Sequence, residues 1–240
     1  MALKNYCIIP IRSKSKGIKN KNIVKINKIP LILYSLSACL KSNIFEKIFI
    51  ATDSKKYIKI IQRLTKKYNN KIIFFLRDKK NALDKTQSEK VLTEVIKKNN
   101  LKNCIIHFVQ ATSPLLLPKD IKIVNSFFKK DKKISVLCGY KIKKFIWNKK
   151  GNNFYPINYD LKKRKMRQDS EFNFVENGAL YAFYSKNFIK FKNRLHKKIL
   201  IHEMPQNRSL EIDELRDLKE LKKIVKENKY YRNVINFYRK

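Results

Sequence analysis

Acidic residues are scarce: 19 Asp and Glu stand against 57 Lys and Arg in 240 residues, a formal net charge of +38. Cysteine is sparse as well. Cys7, Cys39, Cys104 and Cys138 are far apart and three of them lie inside apolar runs, which excludes metal-ligand spacing and a secreted disulfide framework and reads as reduced core thiols. No apolar run approaches the ~20 residues that span a bilayer, and the N-terminus lacks the apolar segment of a signal peptide, so a cytoplasmic protein with no membrane partner is expected. The G-x-x-x-x-G-K-[ST] pattern is missing too, which sets P-loop NTPase chemistry aside. Neither an internal repeat nor a low-complexity linker interrupts the chain. At 43% hydrophobic residues it is long enough to bury a substantial core.

An excess of cations ordinarily suggests nucleic acid, because clustered cations release counterions on meeting a phosphate backbone. Here the cations are spread along the whole chain. Lysine outnumbers arginine and travels with Ile and Asn, residues with AT-rich codons, and no recognised nucleic-acid-binding motif occurs. Non-specific polyanion binding in vitro is expected, and a specific nucleic-acid partner is not.

What the chain does have is a strand, Tyr6–Ile11, running straight into a loop dense in cations and hydroxyls. Arg12, Lys16 and Lys21 place three cationic heads within ten residues, Ser13 and Ser15 add hydroxyls, and Gly17 permits close backbone approach. Such a loop at the carboxyl end of a strand suits a polyphosphate, a nucleoside triphosphate above all.

Beyond it, apolar runs alternate with amphipathic stretches. Strands are expected at Lys47–Ala51, Lys71–Leu76, Cys104–Val109, Ile134–Cys138, Asn177–Tyr184 and Lys198–Met204. Helices are expected at Pro30–Lys41, Lys55–Tyr68, Thr86–Lys98 and Pro118–Lys129, with another from about Glu214 to Asn228. Pro30 and Pro118 sit where first-turn prolines belong. The alternation implies an α/β fold, a mostly parallel sheet with helices on both faces in three layers. In such sheets ligands bind beyond the carboxyl ends of the strands, where Arg12–Asn22, Thr52-Asp53-Ser54, Arg77 and Gln110–Pro114 fall. The alternation breaks down over about 140–170, a basic, aromatic-rich excursion that reads as a dimer arm, a lid or a solvated loop.

The loops together resemble the acylneuraminate cytidylyltransferases, enzymes that make CMP-sugars from nine-carbon acidic sugars. The resemblance is carried by Ile9-Pro10-Ile11-Arg12-Ser13-Lys14-Ser15-Lys16-Gly17 with Lys21-Asn22, then Thr52-Asp53-Ser54, Arg77 with Ala82-Leu83-Asp84 and Ser88. It continues through Gln110-Ala111-Thr112-Ser113-Pro114-Leu115, Arg167-Gln168, Asn177-Gly178-Ala179-Leu180-Tyr181 and Glu211-Ile212-Asp213, in the family's order over nearly the whole chain.

The resemblance implies a Rossmann-like nucleotide-diphospho-sugar transferase fold spanning 1–240 as one domain, with the excursion serving a homodimer. It implies the reaction CTP plus sugar giving CMP-sugar and pyrophosphate, in the service of cell-surface polysaccharide synthesis. Arg12, Ser15, Lys16, Lys21 and Asn22 match the triphosphate loop, and Arg77 and Ser88 match nucleotide contacts. Gln110, Arg167, Gln168 and Tyr181 match the sugar side. Arg12, Lys16, Lys21 and Asp213 are the expected catalytic groups, and Glu211 and Asp213 the expected ligands of Mg²⁺. An i, i+2 spacing on an extended segment aims two side chains to one face, whereas Asp213, Glu214 and Asp217 equally suit a helix N-terminus. Asp53 is open between a ribose or metal contact and a helix N-cap.

The chain departs from the family's pattern in three places. Family members commonly carry Asp at the position of Glu211 and Pro at that of Ala111. Sialic-acid-specific members carry an aromatic pair roughly where Arg194 and Leu195 stand, so the expected substrate is sialic, legionaminic or pseudaminic acid. Relatives acting on the eight-carbon sugar KDO carry Arg-Leu-Pro-Gly-Lys-Pro in the first loop, where this chain has Gly17-Ile18-Lys19-Asn20-Lys21-Asn22. A catalytically degenerate nucleotide binder and a basic polyanion-binding protein stay open as alternatives.

Overall fold

The sheet grows outward from a strand with no polar face. In β1 (Asn5–Ile11), Cys7, Ile8 and Ile9 are completely buried, as expected of a strand covered on both sides in a parallel sheet. A computed structural model describes residues 3–15, 17–78, 86–164, 166–169 and 171–239. After the first loop, β2 (Lys25–Ile26) and β3 (Ile29–Pro30) form a small antiparallel ribbon turning through Asn27 and Lys28, both at positive φ. This ribbon corrects the expected helix start. Pro30 pairs with Lys25 at the edge of the ribbon, a place that needs no N–H from it, and helix α1 runs Ile32–Ser42.

The expected alternation then follows: β4 (Lys47–Thr52), α2 (Lys55–Leu64), β5 (Ile72–Leu76), α3 (Ser88–Lys98), β6 (Ile105–Val109), α4 (Pro118–Phe127) and β7 (Ser135–Ile142). Ser54 caps α2 by accepting the Tyr57 N–H at 3.3 Å, and Tyr57 and Ile61, one turn apart, bury its apolar side. Pro118 stands in the first turn of α4, as expected.

In the excursion, β8 (Trp147–Lys150) and β9 (Asn153–Pro156) pair as a hairpin separate from the main sheet. Trp147, Phe154, Tyr155, Ile157 and Leu161 are exposed along it. The chain re-enters the sheet as β10 (Asn173–Tyr184), followed by α5 (Ser185–Phe191), β11 (Ile199–Glu203), α6 (Leu215–Glu227), α7 (Lys229–Arg232) and α8 (Val234–Arg239). The short helices α5, α7 and α8 escape a sequence reading because four to seven residues are too few to display a helical period.

Among the described residues the sheet order is β11-β7-β10-β6-β1-β4-β5. The β1, β4, β5 and β6 strands run parallel, β10 runs antiparallel to both β6 and β7, and β11 is parallel to β7. The architecture is the expected α/β. Strand order reverses between β1 and β6, and that crevice is where such sheets bind ligands.

Candidate active site

A cavity of about 560 Å³ opens at this reversal. Its floor is the end of β1 and the end of β6, Pro10–Arg12 on one side and Phe108 with Gln110–Thr112 on the other. The first loop forms one wall through Arg12, Ser15, Gly17, Lys21 and Asn22. The loop is tied at several points. Asn22 Nδ2 donates to the Arg12 carbonyl at 3.1 Å, and the Tyr57 hydroxyl donates to Asn20 Oδ1 at 3.1 Å. The Ser15 hydroxyl oxygen is buried without a hydrogen-bond partner among the described residues, which is costly unless a ligand supplies one.

Arg77, Ser88 and Gln110 also line the cavity. Arg77 is buried, and the loss of solvent lowers its pKa; Asp53 and Glu94 oppose that effect, and nearby Arg12 adds to it. Arg12 at the end of β1 and Arg77 at the end of β5 thus bring two guanidinium groups to one cavity, an arrangement suited to a phosphate chain.

The opposite wall is the extended segment before α6. Ile212 is completely buried and donates its N–H to the Thr112 carbonyl at 2.8 Å, so Glu211 and Asp213 on either side both line the cavity. Burial first, then the charge of Asp213, raises the Glu211 pKa. Lys21 Nζ donates to Asp213 Oδ1 at 2.7 Å, joining the two walls. The helix-cap reading of this stretch holds at the same time: Asp217 accepts the N–H groups of Asp213 at 2.9 Å and Glu214 at 2.7 Å. The helix start is thus capped by the Glu214–Asp217 pair, which leaves the Asp213 carboxylate to the cavity.

Glycines permit the close fit. A Cβ on Gly17 would come within 2.5 Å of the Asp213 carbonyl oxygen. Gly178 has φ +68°, and a Cβ there would press on Gln110 Nε2 at 3.0 Å and Glu211 Oε2 at 3.2 Å. Gly178 lies in the irregular stretch of β10 between Glu176 and Tyr181. Because β10 is antiparallel, this early part of the strand falls on the same rim as the end of β6.

Two mutually repelling carboxylates on one face, one of them held above its usual pKa, suit a divalent cation with substrate phosphates completing its shell. No group of three or more metal-ligating side chains exists among the described residues, so the remaining ligands would have to be phosphates and water.

Of the expected site residues, Arg12, Ser15, Lys21, Asn22, Arg77, Ser88, Gln110, Glu211 and Asp213 meet in the cavity. Lys16, the segment Ala82-Leu83-Asp84 and the Arg167 side chain lie outside the described residues. Gln168 and Tyr181 do not line the cavity. Gln168 is exposed, and its carbonyl accepts from Lys143. Tyr181 is 2% exposed; its ring stacks on Phe108, and its hydroxyl donates to Glu176. Arg194 stacks over the Tyr181 ring at 4.5 Å and pairs with Glu89 at 2.6 Å, forming a polar layer behind Phe108.

Asp53 is neither the N-cap of α2 nor a cavity-lining group: Ser54 makes the cap, and Asp53 grips Ser13. Thr112 was not singled out, yet it lines the cavity and its hydroxyl lies within 3.1 Å of Gln110 Oε1 and 3.5 Å of Glu211 Oε1. Its place beside Gln110 in the Gln-Ala-Thr motif was the available signal. The three histidines are buried structural groups. Burial pushes His107 down to about 3, which keeps it neutral.

The family described as cytidylyltransferase matches residues 6–237. The chain is 31% identical to a pseudaminic acid cytidylyltransferase of Campylobacter jejuni over 237 residues, covering 94% of this chain and 98% of the relative. It is 27% identical to an N-acylneuraminate cytidylyltransferase of Escherichia coli over 222 residues, 90% of this chain but only 51% of that one. In fold it is similar to a CMP:2-keto-3-deoxy-manno-octonic acid synthetase solved with CTP, at TM-score 0.65 and 16% identity over 93% of this chain and 99% of the other. With the match running from the first strand to the last helix, the chain belongs to the cytidylyltransferase family.

Proposed function

We propose that this cytidylyltransferase joins CTP to a nine-carbon 2-keto acidic sugar, releasing pyrophosphate and the CMP-sugar. The carrying observation is the cavity itself, with a cationic loop on one wall and the Glu211–Asp213 pair on the other, bridged by Lys21. The anomeric oxygen bonds to the α-phosphorus, the bond from that phosphorus to the bridging oxygen breaks, and pyrophosphate leaves with the electron pair. The hydroxyl proton passes to a carboxylate of the Glu211–Asp213 wall.

Most of the barrier is positional and electrostatic. Arg12, Lys21 and Arg77, with Lys16 as the resemblance implies, neutralise the triphosphate, and Ser15 donates to it. Ser88 and Gln110 meet the nucleoside and the sugar. Glu211 and Asp213 would hold Mg²⁺, which would supply charge neutralisation to the phosphates when bound. The assignment of Arg167 and Gln168 to the acidic sugar rests on the resemblance alone, and Tyr181 acts from behind Phe108 rather than by contact.

Pseudaminic acid is the favoured substrate over sialic and legionaminic acids, because the relatives named for it align over 98% of their length. The Arg194–Glu89 layer behind the cavity also differs from an apolar wall. Pyrophosphate release with Mg²⁺, each of the four NTPs and a panel of pseudaminic, legionaminic, sialic and KDO acids tests the reading. Release is expected with CTP and one nine-carbon acid alone. Silence from folded protein would favour the degenerate relative.

We further assign the excursion to a cytoplasmic homodimer, on the exposed Trp147, Phe154, Tyr155, Ile157 and Leu161 around the β8–β9 hairpin. Light scattering after size exclusion is expected to give twice the chain mass, and the double substitution Trp147→Asp, Phe154→Asp the single-chain mass.

A further inference from the structure

Ser13 sits between Arg12 and the rest of the cationic loop and does not line the cavity. Both of its donors are committed elsewhere. Its N–H donates to Asp53 Oδ1 at 2.8 Å and its hydroxyl to Asp53 Oδ2 at 2.7 Å, so Ser13 engages both carboxylate oxygens. Asp53 follows β4, the strand beside β1, and is therefore carried on the rigid sheet rather than on the loop. The same carboxylate acts on Arg77, and so does that of Glu94, which is buried on α3 and accepts the Asp78 N–H at 2.9 Å.

Arg12 and Arg77 both line the cavity, so the loop that carries Arg12 has to be held in register with the end of β5.

We propose that Asp53 is a positioning residue of the triphosphate site, tying the cationic loop to the end of β4 through both donors of Ser13 before the polyphosphate arrives. The inference rests on the cytidylyltransferase reading for its natural ligand, but the loop can be tested on inorganic tripolyphosphate alone. It also reverses the sign that simple electrostatics gives. Asp53 is an anion near an anion site, so removing its charge should by itself strengthen anion binding; if Asp53 positions the cations, the same change weakens binding.

The test is calorimetric titration of inorganic tripolyphosphate into the wild type, Asp53→Asn and Ser13→Ala, with KM for CTP and for the accepted sugar acid measured alongside. Asparagine keeps the shape and removes the charge. Asp53→Asn is expected to weaken tripolyphosphate binding and raise the CTP KM by about tenfold or more, the scale of a lost charged hydrogen bond, while the sugar KM moves less than about twofold. Ser13→Ala, which removes one of the two bonds and keeps the carboxylate, should give a smaller loss in the same direction. The double variant should be no worse than Asp53→Asn alone, because the two residues act as one unit.

Affinity unchanged or increased in Asp53→Asn, an equal rise in both KM values, or no tripolyphosphate binding by the wild type would each overturn the inference. A wild type that binds tripolyphosphate but never turns over CTP would sink the assigned reaction and leave this inference to the titration.

Discussion

Replacing Lys21 by alanine is expected to lower kcat for pyrophosphate release about a thousandfold or more, a loss of about 4 kcal/mol in transition-state stabilisation. Lys21 is the cation that touches both walls. Its side chain is 15% exposed, and its ammonium group lies 2.7 Å from Asp213, which is 65% exposed. Negative charge moves onto pyrophosphate as the phosphorus–oxygen bond breaks, and a fixed ammonium at the cavity wall stabilises that change without reorganising. The ion pair itself is open to solvent on the Asp213 side, so its loss should cost folding no more than about 1 kcal/mol. The expected result is therefore a near-dead enzyme with an almost unchanged urea midpoint. Lys21→Arg should keep part of the rate, because it retains the charge in a different shape. Full activity in Lys21→Ala would remove Lys21 from the chemistry.

Replacing Asp120 by alanine should do the reverse, costing about 3–5 kcal/mol of folding stability because it strands a desolvated charge. Asp120 is 1% exposed. It accepts Arg208 Nη1 at 2.6 Å and Nη2 at 3.0 Å, accepts the Leu117 N–H at 2.9 Å, and lies 3.1 Å from His202 Nε2. The loss would leave Arg208 without its counterion and the first turn of α4 without its cap. Burial opposes ionisation of Asp120, but the hydrogen bonds from His202, Arg208 and Leu117 outweigh it and hold the carboxyl well below the ordinary range. A depressed carboxyl pKa contributes stability that is complete above the unfolded value, about 4, and fades as pH falls toward the folded one. Urea midpoints from pH 7 downward should thus fall more steeply below pH about 4 in the wild type than in the variant. Equal midpoints at neutral pH would show that the network contributes nothing net.

These two residues mark the limits of what could be read from the sequence. Lys21 and Arg12 sit in a short stretch where charge and hydroxyl density stand out against a strand, and the buried runs of β1, β4 and β6 are plain because parallel strands need no polar face. Glu211 and Asp213 are visible as a spaced pair, but their cap alternative is resolved only once Asp217 is seen taking both N–H groups. Asp120 and Arg208 are 88 positions apart, and no local pattern joins them. Asp53 likewise depends on a contact 40 residues away. Pro30 misleads because first-turn and ribbon-edge prolines look alike until the pairing partner, Lys25, is known. Tyr181 shows that an aromatic in a motif can serve the layer behind a wall.

The placement of β10 has a consequence for the order in which the chain can fold. Within the sheet, β6 and β7 are neighbours in sequence but are separated by β10. One edge of β6 therefore has no sheet partner until residues 173–184 are available, and these arrive only after the whole excursion. The β1, β4, β5 and β6 strands can assemble from local crossovers, whereas the insertion of β10 is a long-range event of the slow kind. The cationic loop belongs to the early half, and Gly178, Glu211 and Asp213 come with or after the inserted strand. A triphosphate binding to the nascent chain would find its cations before its carboxylates, and only completion of the β10 layer would convert an anion trap into an active site.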